Sequence, residues 1–100
     1  MLGNARIKPS ATTLTTLFTA SADCVVSSIV VCNTGTASDF RIAIRPLGAS
    51  IQDEHYIYYD LPIDANDTFI ATIGISLLDT DVVSVYSTSG NVTFNLFYTT

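Results

Sequence analysis

The stretch from Cys24 to Pro46 leaves this chain the least conformational freedom. Cys24–Cys32 (CVVSSIVVC) is β-branched and apolar on both alternating faces, the pattern of a central strand covered on both sides. In the second half Phe40, Ile42 and Ile44 alternate with Arg41, Ala43 and Arg45. One face therefore enters a core and the other carries two cations, until Pro46 closes the strand. Asn33–Asp39 (NTGTASD) supplies the residue types that tolerate turn geometry. Together the two halves read as a β-hairpin against which the rest of the chain is laid.

Further strands follow at spacings of about ten residues, separated by turn chemistry. In Thr12–Ala20 the density of threonine favours a strand, with Leu14, Thr16 and Phe18 on one face and Leu17 on the other. Glu54–Leu61 places His55, Ile57, Tyr59 and Leu61 on one face and Tyr56, Tyr58 and Asp60 on the other. In Thr68–Ile75, Phe69, Ala71, Ile73 and Ile75 line up, and Gly74 marks a bulge or a close backbone approach. Val82–Ser87 and Val92–Tyr98 complete the set, the last with Val92, Phe94, Leu96 and Tyr98 inward and Thr93, Asn95 and Phe97 outward. The expectation is one all-β domain, an antiparallel sandwich of approximately seven strands over residues 11–100, preceded by an N-terminal arm over residues 1–10. Periodicity does not fix strand order, so a jelly roll stays open as a variant.

One hundred residues, 48% of them hydrophobic and 13% charged, exceed what so short a chain can bury. Surplus apolar surface on a soluble protein points to contact with another chain. Four cations against nine acids give a net charge of −5, which argues against a nucleic-acid partner. Residues 1–8 show no apolar run behind their charges, so no signal peptide is expected. No apolar run reaches the ~20 residues of a spanning helix, so no membrane partner is expected either. Cys24 and Cys32, eight residues apart on one strand, would lie about 26 Å from each other. A disulfide needs Cα atoms within ~7 Å, so two free, buried thiols are expected, in keeping with assembly in a reducing cytoplasm.

Catalytic chemistry finds little support. His55 is the sole histidine, and a packed, hydrogen-bonded ring is the plainer reading of its position than a general base or a Cys–His pair, for which no orienting third group is visible. Asp64, Asn66 and Asp67, and Asp79 with Asp81, are oxygen donors of the kind Ca²⁺ accepts, but such turns cap their own backbone without metal. No enzyme activity, metal or cofactor is therefore expected. Contact residues are the better candidates: Arg6 and Lys8 in the arm, Arg41 and Arg45 on one strand face, and Tyr56, Tyr58 and Phe97 as outward aromatics. Arg41 and Arg45 serve equally well as intramolecular partners of acids such as Asp60.

Val26–Asn33 (VSSIVVCN), Phe40–Pro46 (FRIAIRP), His55–Ile57, Ala65–Thr68 (ANDT), Asp81–Tyr86 (DVVSVY) and Val92–Phe97 (VTFNLF), with Leu2–Gly3 near the start, together resemble small virion structural proteins of tailed bacteriophages, those of phages of aquatic bacteria. The order of these motifs, more than any one of them, carries the resemblance. Such proteins often have a Pro-containing turn where this chain has Thr19–Asp23 (TASAD). The resemblance implies a non-enzymatic component of the particle and transfers no catalytic residue. With the surplus apolar surface and the arm, it leads to a virion location and a capsid decoration or cement protein. This would be a homo-oligomer, a trimer in the first instance, whose partners are its own copies and the major capsid protein. The alternative is a tail-fibre or baseplate recognition module, with a tail protein as its partner, whose loops, Pro46–Asp53 among them, are presented to a host surface glycan. A cytosolic sugar-binding or regulatory domain is a third reading.

Overall fold

A computed structural model describes residues 1–100, which form nine strands: β1 (Leu2–Ile7), β2 (Thr15–Thr19), β3 (Cys24–Asn33), β4 (Ser38–Arg45), β5 (Tyr56–Ile63), β6 (Thr68–Ala71), β7 (Ile75–Leu77), β8 (Val82–Ser87) and β9 (Val92–Thr99). They make two antiparallel sheets packed face to face. One is β1-β9-β3-β6, with β7 also paired to β3, and the other is β2-β8-β4-β5. Two strands exceed the expected seven. Leu2–Ile7, expected as part of an arm, is an edge strand in register with β9 from Leu2↔Thr99 to Ile7↔Phe94. The expected strand Thr68–Ile75 is split: β6 ends at Ala71, and β7 starts at Ile75 directly after Gly74, whose φ of +68° turns the chain there.

Cys24–Pro46 is not a hairpin. β3 lies between β9 and β6 in one sheet, and β4 lies between β8 and β5 in the other. The physical reason sits at Asn33, whose fully buried side chain organises the connection. Its Nδ2 donates to the carbonyls of Thr36 (2.7 Å), Ile63 (3.2 Å) and Asp64 (3.2 Å), and its Oδ1 accepts from the Gly35 amide (3.0 Å). Those bonds turn the chain across the sandwich instead of back along β3. The same logic runs through the fold. β1 pairs β9, β2 pairs β8, β3 pairs β6 and β7, and β4 pairs β5, so the chain is one long ribbon wrapped into two sheets. That is the strand order of a jelly roll.

The core fills the space between the sheets. Phe40, Ile42, Val83 and Val85 from one sheet meet Ile29, Val31, Phe94 and Leu96 from the other, all with no solvent exposure. Burying each such side chain is worth roughly 1.5–3 kcal/mol. Phe40 meets Phe94 edge to face at 6.1 Å and Phe69 at 5.4 Å. At the β1 edge the ring of Tyr98 fills the position a side chain on Gly3 would take, and Phe18 packs on that ring at 4.5 Å.

Bulges redirect several side chains that simple alternation misplaces. In β3, Val26 pairs Tyr98 and Ser28 pairs Phe97, so Ser27 is the extra residue and the parity flips. Cys24 is consequently buried and Cys32 half-buried on the opposite face; both are free thiols. In β2 the shift between Thr16 and Phe18 buries Leu17 and lets Phe18 pack on the core as well. β5 carries two shifts against β4, one between Phe40 and Ile42 and one between Ile42 and Ala43, and Asp60 takes a φ of +48° at the first. Tyr58, expected outward, therefore packs inward edge to face with Phe69 at 5.2 Å. Ile57 and Tyr59, expected inward, are exposed.

Candidate interaction surfaces

The outer face of the β1-β9-β3-β6 sheet is built by alternation from residues that point away from the core between the sheets. Register places Leu2, Thr99 and Val25 in one row; Asn4, Phe97 and Ser28 in the next; then Arg6, Asn95, Val30 and Ile70; then Thr93, Cys32 and Thr68. Leu2 is 83% exposed, Val25 52%, Ile70 58% and Phe97 39%. Arg6 is the single charge on these rows, and it lies along the sheet with Nε on Asn95 Oδ1 (3.1 Å) and Nη2 toward Asn4 Oδ1 (3.4 Å). Lys8 is exposed just beyond the end of β1. The face is mixed: the exposed apolar side chains Leu2, Val25, Ile70 and Phe97 are interleaved with hydroxyl and amide groups, a pattern suited to contact with another surface.

One border of this face is an open strand edge. Met1 and Thr100 exchange backbone hydrogen bonds (2.9 and 3.1 Å), and strict alternation from that pair points the N–H and C=O groups of Leu2, Asn4 and Arg6 away from β9. The other edges are blunted. β5 has two bulges and Pro62, β2 is five residues long with a bulge, and β6 and β7 are interrupted at Gly74. β1 alone is regular along its length.

The opposite sheet presents a different face, largely covered by its own connection. Arg45 donates from Nε to Ser84 Oγ (3.1 Å) and from Nη1 to the carbonyls of Gly48 (3.2 Å) and Ala49 (2.9 Å). The Leu47 amide bonds Asp81 Oδ1 (3.0 Å), whose Oδ2 accepts from the Leu78 amide (2.9 Å). Arg45 thus fastens the segment after β4 over Ser84, and Val82 and Ser84 are buried although they face outward. His55 does not lie on β5. It ends a 3-10 turn, Asp53–His55, where its Nδ1 accepts from the Gln52 amide at 3.1 Å. The acids of the other turns serve the backbone: Asp67 Oδ1 accepts from the Thr68 amide and Asp23 Oδ1 from the Asp79 amide.

Arg41 stands at the exposed end of this face. Its Nε meets Asp60 Oδ1 at 2.6 Å, and its guanidinium carbon lies 4.2 Å from the ring centroids of both Tyr59 and Tyr86 and 5.9 Å from that of Tyr56. The hydrogen bond to Asp60 holds the guanidinium pKa above its already high ordinary value. Tyr56 and Tyr59 meet edge to face at 4.9 Å. The structure thus separates the expected contact residues. Arg6 and Phe97 share the apolar face, with Lys8 just past the end of β1; Arg41 and Tyr56 share an aromatic cluster, Arg45 is a loop fastener and Tyr58 packs inward. Leu2, Val25, Ile70, Tyr59 and Tyr86 were not singled out by sequence; a run apolar on both parities, as in β3, was the available signal for Val25.

The order of the two sheets defines the chain as a jelly-roll β-sandwich, an architecture shared by viral capsid, lectin and cupin domains. No protein-family model matches the sequence, and a search of curated proteins gave no match. Among solved structures, a chain of the acidic stable capsid structure of Helicobacter pylori bacteriophage KHP30 superposes with a TM-score of 0.60. The two are 13% identical over 98% of this chain and 85% of that one. At that identity the likeness is one of fold.

Proposed function

We propose that this protein is a non-enzymatic structural component of a bacteriophage virion, a decoration or cement protein on the particle surface. The observation that carries the reading is the bare outer face of the β1-β9-β3-β6 sheet, bordered by the open β1 edge. The fold shared with a chain from a phage capsid supports it, as does the order of sequence motifs. In this account copies of the chain associate, as a trimer in the first instance, and the assembled face clamps neighbouring subunits of the shell. Rows led by Leu2, Val25, Phe97 and Ile70 supply the apolar contact. Arg6, Asn4 and Asn95 give direction through hydrogen bonds, and the Leu2, Asn4 and Arg6 backbone is free to add a strand. Engaging several subunits at once multiplies a modest single contact.

Quantitative mass spectrometry of purified particles tests this. A copy number approaching that of the major shell protein is expected. Scarcity at the level of a tail component would favour a tail-fibre or baseplate module, and absence from the particle would end the virion reading.

A further inference from the structure

The aromatic cluster around Arg41 is not used by the assembly described above, because it lies on the opposite sheet. Beside it is a solvent-facing depression of about 370 Å³ lined by Asp53, Tyr56 and Tyr59. Tyr59 is 58% exposed, and its ring is held on one side by the Arg41 guanidinium, itself fixed by Asp60 and by Tyr86 beneath. Tyr56 crosses it at 78°, so the two rings form a rigid corner. Asp53 comes from the 3-10 turn whose backbone is tied by His55, and its carboxylate takes no hydrogen bond from the protein.

We infer that this corner is a binding site for a neutral pyranose, free or at the end of a glycan. A sugar ring offers a face of C–H groups that packs on the electron-rich face of an aromatic ring, while its hydroxyls need acceptors such as a carboxylate. Here ring and carboxylate border the same depression, and the volume falls at the lower end of the ~300–1,000 Å³ usual for small-ligand sites, matching one or two sugar units. The alternatives fit less well. Arg41 already occupies the space between Tyr59 and Tyr86 where a cation would bind, and a second cation would lie beside it. An acidic sugar or a phosphate would face Asp53 on a chain of net charge −5. Preorganisation by the Arg41–Asp60 pair keeps the ordering cost of binding low.

The bulges of β5 create this site. Without them Tyr59 would point into the core, and Tyr56 and Tyr59 could not share a face. The site stands apart from the proposed virion role, since it is assayed on the protein alone.

The test uses the full chain and two sets of probes: the methyl glycosides of glucose, galactose, mannose and N-acetylglucosamine, and an array of immobilised neutral and acidic glycans. The chain has five tyrosines and no tryptophan, so tyrosine ring resonances are readily followed. At least one neutral probe is expected to shift the rings of Tyr56 and Tyr59 while leaving Tyr98 unmoved. Asp53→Ala should weaken that binding tenfold or more at unchanged melting temperature, and Tyr59→Ala should weaken it as much in a protein that still folds but melts lower for loss of the Arg41 stack, with Tyr59→Phe retaining most of the binding. Response to the glycosides assigns a site for a free sugar; response to the array alone assigns one for a presented glycan. The inference is overturned if no neutral probe binds at millimolar concentration, if only acidic glycans bind, or if binding survives both alanine substitutions.

Discussion

Arg41 and Asp60 face each other across a bulge of β5, with Nε and Oδ1 2.6 Å apart, and the backbone of Asp60 holds a φ of +48° to make the contact. The pair joins the central strand of one sheet to its edge strand and fixes two tyrosine rings against one guanidinium. Half-exposed ion pairs are usually worth well under 1 kcal/mol, but stacking on Tyr59 and Tyr86 adds to this one.

Arg41→Ala is therefore expected to lower stability by about 1–2 kcal/mol, with Arg41→Lys recovering only part, since an ammonium cannot form the planar stack. Chemical denaturation of the three proteins measures this. Full recovery by lysine would show that charge alone matters.

Asn33→Ala should be the more damaging change although no charge is involved. It leaves the carbonyls of Ile63 and Asp64 and the Gly35 amide without their partner at the crossing between sheets. A loss of roughly 2–4 kcal/mol is expected in urea unfolding. A loss below 1 kcal/mol would mean that the crossing is set elsewhere.

The two thiols should differ in reactivity. Burial, followed by the charges of Asp23 and Asp81, pushes the Cys24 thiol above its ordinary value, whereas Cys32 is half-buried on the outer face. Iodoacetamide should modify Cys32 in the native protein and Cys24 only on unfolding. Because the folded-state pKa of Cys24 is the raised one, its contribution to stability is complete below the unfolded thiol value and is lost as pH climbs above it through the folded value. Melting temperature should accordingly fall at alkaline pH above the ordinary thiol value of 9.0, and less so in Cys24→Ala.

Val25→Lys and Ile70→Lys address the bare sheet face. Both positions are more than half exposed, so the substitutions should leave monomer stability within about 0.5 kcal/mol. Attachment to the shell, read as copies of each variant on purified particles, should be lost in the double variant. An unchanged copy number would move the contact off this face.

Much of the fold was legible in the sequence where a strand is regular. In β9, Val92, Phe94 and Leu96 are fully buried and Phe97 faces out, as alternation requires; in β4, Phe40 and Ile42 are buried and Arg41 faces out. Legibility failed at bulges, because one inserted residue reverses every side chain beyond it. Ser27 did this to Cys32, and the two shifts in β5 did it to Tyr58 and Tyr59. It failed also where pairing is long-range. A turn-rich segment such as Asn33–Asp39 is compatible with a hairpin or a crossing, and only the contacts of Asn33 with Ile63 and Asp64, thirty residues on, decide between them. Of the contact surface, sequence located Phe97 and Arg6. It did not single out Ile70, although alternation against Phe69 and Ala71 places that side chain on the outer face.

Immunogold labelling of purified particles with an antibody to this chain tests the central claim most directly. Dense, regular label over the head is the predicted result. Label confined to the tail, or absent from intact and opened particles alike, would contradict it.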